Sequence, residues 1–353
     1  MSDQAKSNDY LGAANGRAAS VTFLLGVLRE WLDDKDITEV CINRPGEVWT
    51  EKDNVWTHHE AANIDYDHCN AIATAVAKYH NGTISDDKPI LSAILPNGER
   101  VQIVMPPACE HGTVSITIRK PSTKIWTLAD YEEQGFFNKV RPITEELTAD
   151  ELQLLELKKE EKYSEFIKEA IRRQKVIVVS GETGSGKTTL MKAMMQEIGQ
   201  EERIITIEDV PELFLPYHPN HVHLFYPSEA NDEKTIVTPA NLLRSCLRMK
   251  PTRILLAELR GGEAFDFIDV AASGHGGSIT SCHAGSAELT FERLTTMILK
   301  NRQGRTLPYG IIRRLLYLVV DIVVHVHNDD EEGRHITEIW YDPAKKRTKL
   351  ENA

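Results

Sequence analysis

The chain has 353 residues, 41% of them hydrophobic and 27% charged, with a formal net charge of −12. That length and apolar share suit two buried cores rather than one, and the acidic balance excludes a protein that coats duplex nucleic acid, which needs a dense Lys/Arg surface. Five scattered cysteines with no CxxC pair exclude a disulfide framework and a structural zinc site, and fit a reducing compartment.

Residues 1–19 are polar and Gly/Ala-rich and read as a flexible N-terminus without a basic-then-apolar leader. Val21 to Leu32 has the pattern of an amphipathic helix. Ile37 to Asn43, then Pro45-Gly46, then Glu47 to Trp49, reads strand, turn, strand. A helix is predicted over Asp65 to Tyr79, stopped by Asn81-Gly82. Strands follow near Arg100 to Met105 and Val114 to Arg119. Residues 20–137 therefore form a small α+β domain. Residues 138–163 read as a linker: they hold Pro142 and the charge run Glu156 to Lys162, whose default is a solvated helix. Such a spacer lets two domains sit apart or pack onto a neighbouring subunit.

Residues 164–353 change character. Val176 to Val179, Ile204 to Ile207 and Ile254 to Ala257 are short apolar runs without strict alternation, as buried central strands are. Helical stretches separate them, so the expectation is an α/β domain on a mainly parallel sheet. The most apolar stretch, Leu315 to Val326, is broken by Asp321 and His325 and is shorter than the roughly 20 residues of a membrane span. Membrane contact is therefore expected to be peripheral. Arg313-Arg314 and Lys345-Lys346-Arg347 are read as solvated faces.

The strongest motif is Gly181-Glu182-Thr183-Gly184-Ser185-Gly186-Lys187-Thr188, a complete G-x-x-x-x-G-K-[ST] between an apolar strand and a helix-forming run. The glycines allow backbone angles that aim several N–H groups at one anion, and the helix start adds its positive dipole end. Gly181 through Thr189 form the nucleotide-contacting set. Lys187 reaches the β- and γ-phosphates, and the Thr188 hydroxyl ligates Mg²⁺. Hydrolysis also needs acids at the strand ends. Glu258, closing the Ile254 run, is the water-activating candidate. Glu208, closing the Ile204 run, is the candidate second acid near the Mg²⁺ water shell, with Asp209 and Glu212 beyond it. His275 and His283 flank a further strand among glycines. With Cys282 they match no zinc spacing, and a γ-phosphate sensor fits better.

These motifs occur in an order that resembles the secretion-ATPase superfamily. The phosphate loop, Ile207 to Leu213, Leu256 to Ala264, and Gly274-His275 through His283-Ala284-Gly285 look like its Walker A, Asp, Walker B and His boxes. Asn97 to Ile103 and Ile116 to Ser122 extend the likeness over nearly the whole chain, to the type IV secretion and conjugation traffic ATPases of the VirB-eleven kind. The resemblance implies a RecA-like P-loop domain after a smaller α+β domain, and a homohexamer with ATP and Mg²⁺ held between the domains. It implies work at the cytoplasmic face of the inner membrane, with other secretion-system ATPases and inner-membrane components as partners. Direct DNA contact is not indicated. Arg100 and Arg119 match family arginines that approach the phosphates, and Arg260 and Glu263 match the Walker B box. Many relatives carry aspartate after the proline before Walker B, where this chain has Pro251-Thr252. The four-cysteine module of pilus and type II relatives is absent. A ring helicase would share the core but lacks support from an aromatic-basic stripe, and a non-hydrolysing scaffold would not need Glu258 and Thr188.

Overall fold

A computed structural model of the chain describes residues 16–122, 125–140, 146–228 and 237–347. Residues 1–15 of the segment expected to be flexible lie outside them, and 16–32 is helical with a 3-10 turn at Leu25–Leu28.

Six antiparallel strands build the first unit: β1 (Glu39–Ile42), β2 (Gly46–Lys52), β3 (Val55–Ala61), β4 (Ile90–Ile94), β5 (Arg100–Val104) and β6 (Ser115–Arg119), in the order β3-β2-β1-β6-β5-β4. The β2–β3 hairpin turns at Asp53-Asn54, both with positive φ, a geometry these residue types tolerate. Helix α1 (Tyr66–Tyr79) starts where Asp65 accepts the His68 N–H and covers one sheet face with Cys69, Ile72, Ala73 and Val76. Against it lie Val40, Ile42, Val101, Ile103, Ile116 and Ile118. Alternation sends Glu39, Cys41, Gln102, Thr117 and Arg119 to the other face. That polar face meets the second unit, because Thr117 lies 3.5 Å from the Arg203 guanidinium.

A short helix α2 (Leu128–Glu133) follows, capped by a reciprocal Thr127–Asp130 box. Helix α3 (Ala149–Lys159) has the same box from Thr148 and Glu151. It departs from the solvated spacer that its charge run suggests. Leu154 is fully buried in the core of the second unit, beside Phe166 of α4 (Tyr163–Arg172). Glu151 holds a bidentate pair with Arg347 at 2.6 and 3.0 Å. Residues from Ala149 onward are thus built into the second unit: one leucine at a buried position outweighs a polar average.

The second sheet runs β13-β12-β7-β11-β10-β8-β9. Its strands are β7 (Ile177–Gly181), β8 (Ile204–Glu208), β9 (His221–Phe225), β10 (Arg253–Leu259), β11 (Ile279–Cys282), β12 (Ile322–Asp329) and β13 (Gly333–Tyr341). All pairings are parallel except the β12–β13 hairpin. Five helices complete it: α5 (Lys187–Met195), α6 (Pro239–Cys246), α7 (Glu263–Ala272), α8 (Ala287–Lys300) and α9 (Tyr309–Val319). β7, β8, β10 and β11 are buried almost throughout, which explains their unbroken apolar runs. All five cysteines are buried thiols.

The basic clusters read as solvated faces are structural instead. Arg313 packs over Phe291 and Tyr317 and pairs with Glu288 and Glu292. Arg314 donates to the Lys345 and Lys346 carbonyls, Lys346 pairs with Asp321 at 2.6 Å, and Arg347 holds Glu151. These side chains weld residues 345–347 to α9, to Asp321 after it and to α3.

The units meet along β9. Arg203 is fully buried there; it donates to the Met249 carbonyl, to Asn43 and Asn220 Oδ1 at 2.7 and 2.6 Å, and lies over Trp56. Arg44 donates to the His221 carbonyl, and Phe225 N–H to the Ala108 carbonyl.

Candidate active site

The phosphate loop joins β7 to α5 at the carboxyl ends of the parallel strands, where open α/β sheets present their ligands. Gly184 and Gly186 have φ of +78° and +95°, which a side chain would strain. At Gly181 a Cβ would stand 2.3 Å from the Val326 carbonyl oxygen. Ser185 closes the loop by donating to the Glu182 carbonyl at 2.9 Å. Gly186 offers no side-chain cap to α5, so its first-turn N–H groups are left to an anion.

Lys187 lies buried beneath this loop and donates to the Gly181 and Glu182 carbonyls at 3.1 and 2.8 Å. Burial lowers its pKa, and Glu258 opposes that shift. Its Nζ is 3.4 Å from His283 Nδ1, and His283 Nε2 is 2.8 Å from Glu258 Oε1. Glu258 Oε2 accepts from Arg260 at 2.8 and 2.9 Å, and Arg260 also pairs with Asp209. One connected chain of groups therefore runs from Lys187 through His283, Glu258 and Arg260 to Asp209.

Local backbone explains why Glu258 takes part. β10 pairs with β11 in register at Leu255 and Leu256, then loses one residue of register before Leu259. This bulge holds Ala257 and Glu258, and Ser281 Oγ donates to the Ala257 carbonyl at 2.7 Å. A bulge re-aims a side chain that the regular strand would bury. Glu263 accepts from the Arg260 and Gly261 N–H groups at 2.7 Å, fixing the turn that carries Arg260.

Other expected residues fall elsewhere. Glu208 is fully buried and its oxygens are engaged: Oε2 accepts from the Glu212 and Leu213 N–H groups at 2.8 Å, and Oε1 from Thr206. It anchors the loop after β8, and its neighbour Asp209 reaches the Glu258 cluster. His275 and His283 are not brought together. His275 precedes β11 and its Nδ1 is buried without a hydrogen bond, while the adjacent Gly276 abuts the Gln174 carbonyl before β7. That is the opposite end of the sheet from the loop, since β7 and β11 run parallel. Thr252, at the position of the missing aspartate, also lies at that far end, where its N–H donates to the Arg203 carbonyl.

Arg100 and Arg119 are cross-strand partners on β5 and β6, and Glu39 faces Arg119 from β1. Both arginines belong to the polar sheet face turned to the second unit. Arg119 is 3.5 Å from Glu39, and among the described residues no hydrogen bond or ion pair joins either arginine to the phosphate loop. A residue that the motifs miss is Arg334 on β13. Its Nε donates to the Gly184 carbonyl at 3.2 Å, and it lines a recess of about 310 Å³ with Thr189, Ala193, Val326 and Ile336. No local pattern marks it, because only the β12–β13 pairing carries it there.

The residues present fit a nucleoside triphosphate with Mg²⁺. The uncapped α5 amides and Lys187 face the loop. The Thr188 hydroxyl makes no hydrogen bond among the described residues and stands beside Lys187 in the first turn of α5. A glycine-rich phosphate cradle on one buried strand, with an acid two strands away, is the arrangement of the P-loop nucleoside triphosphatases. Comparison with known proteins narrows this class. The family described as Type II/IV secretion system protein matches residues 27–325, and the chain belongs to that family. It is 67% identical over 338 residues to the type IV secretion system protein VirB11 of Brucella suis, covering 95% of this chain and 94% of that one. It is 46% identical over 331 residues to PtlH of Bordetella pertussis, covering 93% and 97%. The crystal structure of the VirB11 ATPase from the Brucella suis type IV secretion system, in complex with sulphate, superposes with a TM-score of 0.89 at 66% identity, covering 93% of this chain and 99% of that one.

Proposed function

We propose that this chain is the Mg²⁺-dependent ATPase of a type IV secretion system, converting hydrolysis into motion between its two units. The observation that carries the reading is the connected Lys187–His283–Glu258–Arg260–Asp209 chain beside an uncapped α5. A relative covering almost the whole chain is a type IV secretion system protein by name, and the matching crystal structure is that of a VirB11 ATPase.

Bound ATP and Mg²⁺ supply the phosphoryl group and the charge that holds its oxygens. The protein supplies position. The loop amides and Lys187 would bind phosphate oxygens, and the Thr188 hydroxyl would hold the metal. An anion drawing Lys187 away from the Gly181 and Glu182 carbonyls also draws it from His283. His283 then shifts its hydrogen bond, and Glu258 turns to orient and deprotonate water. Arg260 holds the Glu258 carboxylate in place. Arg119, released from Glu39, and Arg100 reach the phosphates from the first unit, so nucleotide state sets how closely the units stand.

The units, residues 20–137 and the remainder from α3 onward, are the moving parts, and six copies form the working ring. The ring acts at the cytoplasmic face of the inner membrane with the other ATPases and membrane components of its system. No helix among the described residues is long and apolar enough to cross a membrane. Lys187→Ala is expected to abolish turnover without changing the fold, and native mass measurement with and without Mg-ATP tests the hexamer. Unchanged hydrolysis by Lys187→Ala overturns the site, and a monomer under both conditions overturns the ring.

A further inference from the structure

β4 closes one edge of the first sheet with its outer side unpaired. The direction of its backbone groups follows from its neighbours. Leu95 N–H donates to Glu99, and Met105 N–H to the Pro89 carbonyl, so the odd-numbered residues turn toward β5. Ile94 N–H turns the other way, to His80 Nε2. Ile90 and Ser92 therefore present their N–H and C=O groups outward. These two residues line a cavity of about 550 Å³ whose far wall is one side of α6, from Asn241 to Ser245, and the Leu247-Arg248 segment after it.

The cavity is cationic. Lys88, Arg244 and Arg248 line it; Arg244 is shared with Asp266 at 3.3 Å, and among the described residues Lys88 and Arg248 make no ion pair. We propose that this edge receives an extended acidic segment of a partner protein, which adds a seventh strand to the sheet and sets its carboxylates against those three cations. A ladder of outward amides and carbonyls matches a strand, and its neighbouring positive charge selects the sign of the partner. Single-stranded nucleic acid fits less well, since none of the lining residues is aromatic and bases have no platform. One wall belongs to each unit, so the bound segment bridges them.

The test uses the full chain and a fluorescein-labelled decapeptide alternating glutamate with threonine and valine, read by anisotropy. Three companions accompany it: lysine in place of glutamate, N-methyl groups on the two central amides, and an oligothymidylate of matched charge. The acidic peptide is expected to bind. The lysine and N-methylated peptides, the Lys88→Glu/Arg248→Glu protein and Ser92→Pro, which removes an outward donor, are each expected to weaken binding about tenfold or more. Thermal unfolding and ATP turnover of Lys88→Glu/Arg248→Glu are expected to match wild type, so its loss of binding reports the surface rather than the fold. Binding indifferent to N-methylation or to charge reversal overturns the proposal, as does tighter binding of the oligothymidylate at the same cations.

Discussion

Glu258 and Glu39 show how the same side chain serves opposite ends when its surroundings differ. Glu258 has a guanidinium on one oxygen and an imidazole on the other. Glutamine there preserves the shape and cannot take a proton. Glu258→Gln is expected to lower kcat by roughly 10²–10⁴ while a nonhydrolysable analogue still binds, which steady-state turnover and calorimetry read separately. Glu39 is buried, with one oxygen lacking a hydrogen bond. Burial raises its carboxyl from 4.5 to about 7, and Arg119 only partly offsets this. The folded chain thus holds a proton that the unfolded chain releases across that window. The contribution of this site to stability is full at the acid end and declines as pH rises toward 7. Glu39→Gln stays neutral throughout, so wild type should lose ground to it in urea midpoints measured from about pH 5 to about pH 8. Equal pH slopes for the two proteins would remove Glu39 from the account.

Elements differ in how openly the sequence declares them. The phosphate loop, the runs that become β7, β8 and β10, and α1 were legible because each is a local signal: glycine spacing, buried hydrophobic runs, or a helical stretch closed by Asn81-Gly82. β3 and β13 were not, since both lie at sheet edges and alternate exposed and half-buried residues with weak apolar contrast. Arg334 is invisible for the same reason, its place being fixed by pairing across the sheet. At Glu208 the sequence shows a strand-end acid and hides that its carboxylate binds the loop after β8, because those partners, the Glu212 and Leu213 N–H groups, are set by the turn. In α3 a charge run hid one core leucine. Leu154→Ala is expected to cost about 2–5 kcal/mol through the cavity it leaves against Phe166, seen as a lowered denaturation midpoint. A loss under about 0.5 kcal/mol would return α3 to the solvent.

The whole molecule depends on how two sheets are joined. A fully buried guanidinium at their contact has neutral oxygens as its hydrogen-bond partners, from Asn43, Asn220 and the Met249 carbonyl. Such a group is costly to desolvate and costlier to strand, so its partners act together. Arg203→Ala leaves Asn43 and Asn220 facing each other without the cation and opens the space over Trp56. It is expected to destabilise docking by about 1–3 kcal/mol through the polar groups left unsatisfied, and to speed protease cleavage between the units with each sheet still folded. Unaltered cleavage would show that the units are held elsewhere.

The five cysteines carry a practical consequence. Burial pushes the thiols of Cys41 and Cys109 up to about 11 and those of Cys69 and Cys282 to about 12, with Cys246 raised as well. Thiolate is the species that alkylates, so the native chain is a silent background for maleimide dyes. A single cysteine introduced at an exposed point such as Ser92 would take the label alone, and a second at Arg334 would let fluorescence follow the two halves through each turnover.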